Sequence, residues 1–187
     1  MTNPKLILLM SGKRKSGKDY LCEKLKKSFE DECIIVRISG PLKSQYAKVH
    51  NLNFEDLMGD GLYKEKYRID MINWSDEVRE KEPGYFCKIA TQEAPSKKIW
   101  IVSDIRRKTD IKWFKETYSD KIKAVRISAD QDVREKRGWV YQDGVDNVKS
   151  ECDLDDWNDW DLKMTNNSVE DGEETLQKLI DYIKMNS

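Results

Sequence analysis

Histidine is nearly absent from this sequence: His50 stands alone. Chemistry that depends on an imidazole pair or an imidazole-rich metal site is therefore excluded, and His50 is expected on the surface. Cysteine is sparse as well. Cys22, Cys33, Cys87 and Cys152 lie far apart with no C-x-x-C pair, which argues against a zinc site and a disulfide framework. Cys22 and Cys33 sit in apolar segments and read as packed thiols. No apolar run approaches the ~18–20 residues that span a bilayer, and no leader pattern precedes the first one. Excess charge is also missing, since 34 basic residues nearly cancel 35 acidic ones for a net charge of −1. A general nucleic-acid or membrane binder normally carries a basic surplus, so neither partner is expected. No repeat, low-complexity tract or linker interrupts the 187 residues. They predict one domain over 1–187, intracellular and monomeric, with room for a proper core.

What is present begins with Met10-Ser11-Gly12-Lys13-Arg14-Lys15-Ser16-Gly17-Lys18-Asp19. The apolar run Leu6–Met10 before it reads as a buried strand, and Leu21, Leu25 and Phe29 after it recur at helical spacing. Gly12, Gly17 and Lys18 fit G-x-x-x-x-G-K, in which glycines let backbone N–H groups converge on phosphate oxygens. The following helix N-terminus adds partial positive charge, and Lys18 can reach the outer phosphates. Asp19 stands where a Ser or Thr hydroxyl would ordinarily touch magnesium, and a carboxylate can serve the metal directly or through water. Lys13, Arg14 and Lys15 supply more positive charge than one triphosphate requires. The competing reading, a chance glycine turn with a solvated basic run, has to ignore the flanking strand and helix.

Further along, Cys33–Ile38 reads as a strand ending at the turn Ser39-Gly40-Pro41, with a helix from Pro41 to about His50. Tyr63–Lys81 carries an apolar stripe at Tyr67, Met71, Trp74 and Val78. Lys64, Arg68 and Arg79 lie one position round, within about 60° of one another at ~100° per residue. That basic edge also reads as a solvated face balanced by Glu65 and Asp76. A short helix over Tyr85–Glu93 follows the Pro83-Gly84 stop. Ile99–Val102 is another buried strand, and Asp104 at its end is where nucleotide-binding α/β proteins place a magnesium-associated carboxylate. Arg106 and Arg107 come next, and Thr109-Asp110 reads as the cap of a helix carrying Ile111, Phe114 and Tyr118. A strand over Ile122–Ile127 carries Arg126 near its end. A polar helix from Asp130 then brings Arg134 and Arg137 to one face. The tract to Asn158 is acidic and aromatic, Trp160–Thr165 reads as a last strand, and Leu176, Leu179, Ile180 and Ile183 stripe a C-terminal helix.

Near-continuous apolar strands alternating with helices predict an α/β fold, a mostly parallel sheet with helices on both faces. Ligands then gather at the carboxyl ends of the strands, where the glycine loop, Asp104, Arg106, Arg107 and Arg126 all fall. Phosphoryl transfer suits such a set, because it needs two anions held in line while magnesium and cations absorb charge. Gly12 to Asp19 would hold the ATP phosphates, with Asp19 and Asp104 attending Mg²⁺. Arg134 and Arg137, in a lid over about 130–142, would close on the nucleotide and exclude water. Lys13, Lys15, Lys64, Arg68, Arg79, Arg106 and Arg107 exceed what ATP occupies, so the acceptor is itself an anion. Lys13 and Lys15 can bridge the two reactants. An acceptor that is a phosphate needs no strong general base.

Several of these stretches together resemble a known family. Gly-Lys-Arg-Lys-Ser-Gly-Lys-Asp at 12–19, Ser-Gly-Pro-Leu-Lys at 39–43, Tyr-Lys-Glu at 63–65, Val-Ser-Asp-Ile-Arg-Arg at 102–107, Lys-Arg-Gly-Trp-Val at 136–140 and Ser-Glu-Cys at 150–152 are similar to animal-type phosphomevalonate kinases. Asp at the position of Asp19 is usual there. The resemblance implies a nucleoside-monophosphate-kinase-like P-loop fold with substrate-binding helices and a lid. It implies Mg-ATP-dependent conversion of (R)-5-phosphomevalonate to the diphosphate, in the mevalonate route to isoprenoids and sterols. It also implies that Lys18 is essential, that Arg106, Arg107, Lys64, Arg68 and Arg79 serve the acceptor, and that Arg137 serves the nucleotide. Lys18, Lys13, Arg106 and Asp19 form the expected catalytic set. Some relatives end in a Ser-Lys-Leu-like peroxisomal tripeptide and this sequence ends Lys-Met-Asn-Ser, so cytosol is expected. The alternatives are another small-molecule or nucleoside-monophosphate kinase of the same fold, and a silent module that keeps the fold for binding.

Overall fold

The computed structural model describes residues 4–59 and 61–187. Its centre is β1 (Leu6–Ser11), every residue of which is buried. Around it lie β2 (Cys33–Val36), β3 (Ile99–Ile105), β4 (Ile122–Ser128) and β5 (Leu162–Thr165), in the order β2-β3-β1-β4-β5. All four pairings are parallel, with Leu8 opposite Ile101 on one side and Lys123 on the other.

Successive side chains of a strand point to opposite faces, so β1 divides its residues between two cores. Ile7 and Leu9 join Trp100, Val102 and Ala124 beneath α5 (Tyr85–Gln92) and α6 (Lys108–Tyr118). Leu6, Leu8 and Met10 join Ile101 and Val125 beneath α1 (Lys18–Phe29) and α9 (Val169–Asn186). Covering on both faces accounts for apolar runs that do not alternate. A third, smaller cluster, Tyr46, Ala47, Leu57 and Met71, packs α2 (Ser39–His50), α3 (Phe54–Met58) and α4 (Leu62–Lys81) together.

The expected helices and strands are present, with shifted ends. β3 runs on through Asp104 to Ile105, and α2 starts at Ser39, so that Pro41 falls in its first turn, where its missing N–H costs nothing. α3 and α8 (Lys149–Cys152) have five and four residues, too short to show a period. One expectation is corrected. Thr109-Asp110 does not cap α6: the helix begins at Lys108, whose backbone N–H donates at 2.8 Å to Asp153, far along the chain. Asp110 is turned into the core instead.

Candidate active site

The loop between β1 and α1 is shaped by its two glycines. A Cβ on Gly12 would lie 2.6 Å from the Ile127 carbonyl oxygen and 2.7 Å from Ser16 Oγ, so only hydrogen fits against β4. Gly17 has φ 86°, in the left-handed region that favours glycine. No side chain caps α1, which leaves its first N–H groups available to an anion. Ser16 Oγ is buried and has no hydrogen-bond partner among the described residues. Asn166, just after β5, holds the loop from behind by donating to the Ser16 carbonyl at 2.8 Å. An open helix N-terminus, an unpartnered hydroxyl and a buried lysine fit a bound polyphosphate. Lys18 Nζ donates to the Ser103 carbonyl and to the Asp19 carboxylate, and that carboxylate is exposed.

Lys13 and Arg14 of the loop are held by acidic residues between 146 and 155, a pairing that the sequence reading missed. Asp146 accepts from the Arg14 guanidinium at 2.9 Å, and Asp155 accepts from Lys13 at 2.7 Å and Arg126 at 3.1 Å. Glu151 has a side chain only 3% exposed; one of its oxygens accepts the Arg14 backbone N–H at 2.6 Å and the other accepts from Arg106. Leu154 and Val145 anchor this strap by burial. Lys13 and Arg14 are thus neutralised from within the chain. Lys15, with φ 63°, is exposed.

Beside the loop lies a cavity of about 180 Å³. Lys64, Arg68 and Arg79 of α4 line it together with Arg14, Arg106 and Arg107. Its apolar wall is aliphatic: Ile38, Leu42, Met71, Ile72 and Val145. The helix edge that the sequence left open between a ligand face and a solvated one therefore turns toward a cavity. Arg126 is not among the lining residues; it donates to Ser11 Oγ at 2.9 Å on the far side of β1. Burial pushes the Arg107 guanidinium below the usual arginine range, opposed first by its partner Asp76. Arg68 is gripped by Glu65, one turn back on α4, and that hydrogen bond holds the Glu65 carboxyl below the usual range.

The segment expected as a lid forms α7 (Gln131–Lys136) and is docked on the loop. Arg134 is buried, stacks 4.2 Å from the Trp139 ring centre and donates to the Arg14 carbonyl at 3.0 Å. Arg137 donates to the carbonyls of Lys15 and Ser16. Asp104 accepts the backbone N–H groups of Ile38 and Ser39, one on each oxygen at 2.8 Å, and so ties the exit of β2 to β3. Each oxygen keeps a further lone pair. Among the described residues no group of three or more His, Cys, Asp or Glu could hold a metal. Magnesium in kinases commonly relies on one or two carboxylates plus the phosphates, so Asp19 and Asp104 fit that mode. No described helix is long and apolar enough to cross a membrane.

Comparison with known proteins agrees with this geometry. A family profile described as phosphomevalonate kinase matches residues 10–120. The phosphomevalonate kinase of Drosophila melanogaster is 46% identical over 184 residues, covering 96% of this chain and 97% of that protein. Among solved structures, a Thermus thermophilus protein shares the fold with a TM-score of 0.55 at 13% identity, over 96% of this chain and 98% of that one. Shikimate kinase from Aquifex aeolicus superposes with a TM-score of 0.48 at 14% identity, over 97% and 98%. On the profile match and the 46% identity, this chain belongs to the phosphomevalonate kinase family.

Proposed function

We propose that this chain transfers the γ-phosphoryl group of ATP to the phosphate of (R)-5-phosphomevalonate, giving (R)-5-diphosphomevalonate and ADP, with the cavity beside the loop as the acceptor site. The observation that carries the assignment is the lining of that cavity: Lys64, Arg68, Arg79, Arg106 and Arg107 around an aliphatic wall. The acceptor carries a phosphate at one end, a carboxylate at the other and a short hydrocarbon between, and such a lining complements all three. No aromatic side chain is present among the described lining residues, which disfavours a nucleoside base as the acceptor.

Loop amides and Lys18 hold the ATP phosphates, and Arg134 and Arg137 brace that loop through its carbonyls. An acceptor phosphate oxygen attacks the γ-phosphorus as the bond from that phosphorus to the leaving ADP oxygen breaks. In this reading Lys18, Lys13 and Arg106 meet the negative charge that passes between the two phosphates, since fixed cations stabilise it without reorganising. Magnesium, when bound, would neutralise the ATP phosphates, and Asp19 and Asp104 would hold it.

The test is a coupled assay of ADP release over an acceptor panel. Phosphomevalonate should drive release, and AMP, GMP and UMP should not; equal release with a nucleoside monophosphate would overturn the assignment. Lys18→Met should cut turnover at least about a hundredfold with the fold intact.

A further inference from the structure

Behind the arginines of the acceptor cavity lies a carboxylate that no step above uses. Asp110 is fully buried and does not line the cavity. Its Oδ1 accepts from Arg79 Nη1 at 3.0 Å and from the Cys87 thiol at 3.5 Å. Arg79 is also pinned on its flat side, with its guanidinium 5.0 Å from the Phe86 ring centre. Asp76 grips the neighbouring Arg107 through Nη2 in the same way. After these bonds, Arg79 Nε and Arg107 Nη1 remain buried without a hydrogen-bond partner among the described residues, on two side chains that line the cavity. Asp110 Oδ2 is likewise buried and unpartnered, so these groups form an enclosed cluster behind the cavity wall, and buried polar groups are rarely left unsatisfied.

We infer that Asp110 is a positioning residue for acceptor binding: by holding Nη1 it fixes the Arg79 guanidinium in the cavity wall beside Arg107, so that the two side chains receive an anionic group of the acceptor. Stability alone gives little reason for the arrangement. A buried ion pair often adds nothing over a well-packed apolar pair, because desolvation of the charges offsets their attraction. Burial does disfavour the Asp110 charge, raising its carboxyl above the usual range, with Arg79 opposing. What the pair provides is direction, since the guanidinium fork is planar and a bond to one Nη fixes how the rest of it is turned.

This inference rests on the acceptor site proposed above, and steady-state kinetics of four proteins separate the two. They are the unaltered enzyme, Asp110→Asn, Arg79→Met and the double variant, each with KM measured for phosphomevalonate and for ATP. Asp110→Asn should raise the acceptor KM on the order of tenfold and leave the ATP KM within about twofold, as expected for a misdirected charged hydrogen bond. On top of Arg79→Met it should add less than about twofold, because its target is gone. An equal rise in both backgrounds would mean that Asp110 acts only on the fold, overturning its role. An acceptor KM unmoved by Arg79→Met would instead overturn the placement of the acceptor, and this inference with it. Should Asp110→Asn fail to fold, Arg79→Lys tests the same point, since it keeps the ion pair but lacks a second rigidly placed donor. It should raise the acceptor KM on the order of tenfold at an unchanged melting temperature, and an unchanged KM would overturn the inference.

Discussion

Replacing Gly17 by alanine tests how the phosphate loop is held. The added methyl meets two obstacles. Gly17 has φ 86° and ψ 5°, a left-handed conformation that costs a residue with a Cβ roughly 1–2 kcal/mol. The Cβ would also overlap Asn166 Nδ2 and come within 3.3 Å of its Cγ. Asn166 is 6% exposed and has little room to retreat, so its bond to the Ser16 carbonyl breaks. The Ser16 carbonyl keeps the Arg137 guanidinium at 3.2 Å, but the buried Asn166 amide loses its acceptor, which costs about 1–3 kcal/mol. The total is about 2–5 kcal/mol, and at roughly 2–4 °C per kcal/mol for a chain of this size the melting temperature falls by about 4–20 °C. Thermal unfolding followed by circular dichroism reads this directly. Asn166→Ala separates the two parts, because in that background Gly17→Ala should cost only the backbone term of about 1–2 kcal/mol. A Gly17→Ala protein melting within about 2 °C of the parent would refute the reasoning.

Asp104→Asn should destabilise by about 1–3 kcal/mol, because an amide can accept one of the Ile38 and Ser39 N–H groups but turns its own NH₂ on the other; unchanged urea unfolding would count against it. Burial pushes the thiols of Cys22 and Cys33 up to about 12 and that of Cys87 higher still. Burial raises the Cys152 thiol as well, but it alone is only half-buried, so at pH 8 in native protein a disulfide reagent should report Cys152 alone, and Cys152→Ser should report none. Glu65 should titrate below the usual glutamate range by NMR and move back toward it in Arg68→Met. A depressed carboxyl stabilises the fold above its unfolded pKa, and that contribution is lost as pH falls through the folded value. Destabilisation by Glu65→Gln should thus be present near neutrality and absent in strong acid.

Most of the sheet was legible because β1, β2 and β3 are covered on both faces and show unbroken apolar runs, whereas β4 and β5 are interrupted by Lys123, Arg126 and Lys163. The long helices were legible because their stripes repeat several times. α3 and α8 never complete enough turns to show a stripe, although Asn53, which accepts the Glu55 N–H at 2.9 Å, is a cap signal readable in hindsight. Asp110 misled for a physical reason. Thr-Asp before an apolar residue is good cap chemistry, but Arg79 lies 31 positions away and wins the carboxylate. That leaves the α6 terminus to Asp153. Contacts between residues distant in sequence decide such cases, and no local pattern records them.

The same limit explains why half of the site went unread. The cations announced themselves, since three consecutive basic residues inside a glycine loop are hard to overlook. Their counter-charges did not, because Asp146, Glu151 and Asp155 sit more than 125 residues away in a tract with no period. Yet some such tract follows from the burial of the cations. Arginines and lysines crowded around a partly enclosed cavity repel one another and lose hydration, so a fold that keeps them together must bring carboxylates to them. A net charge of −1 is then no argument against a polyanion site. It is the sum expected when a concentrated patch of positive charge carries its own anions, and the acidic tract belongs to the site as much as the loop does.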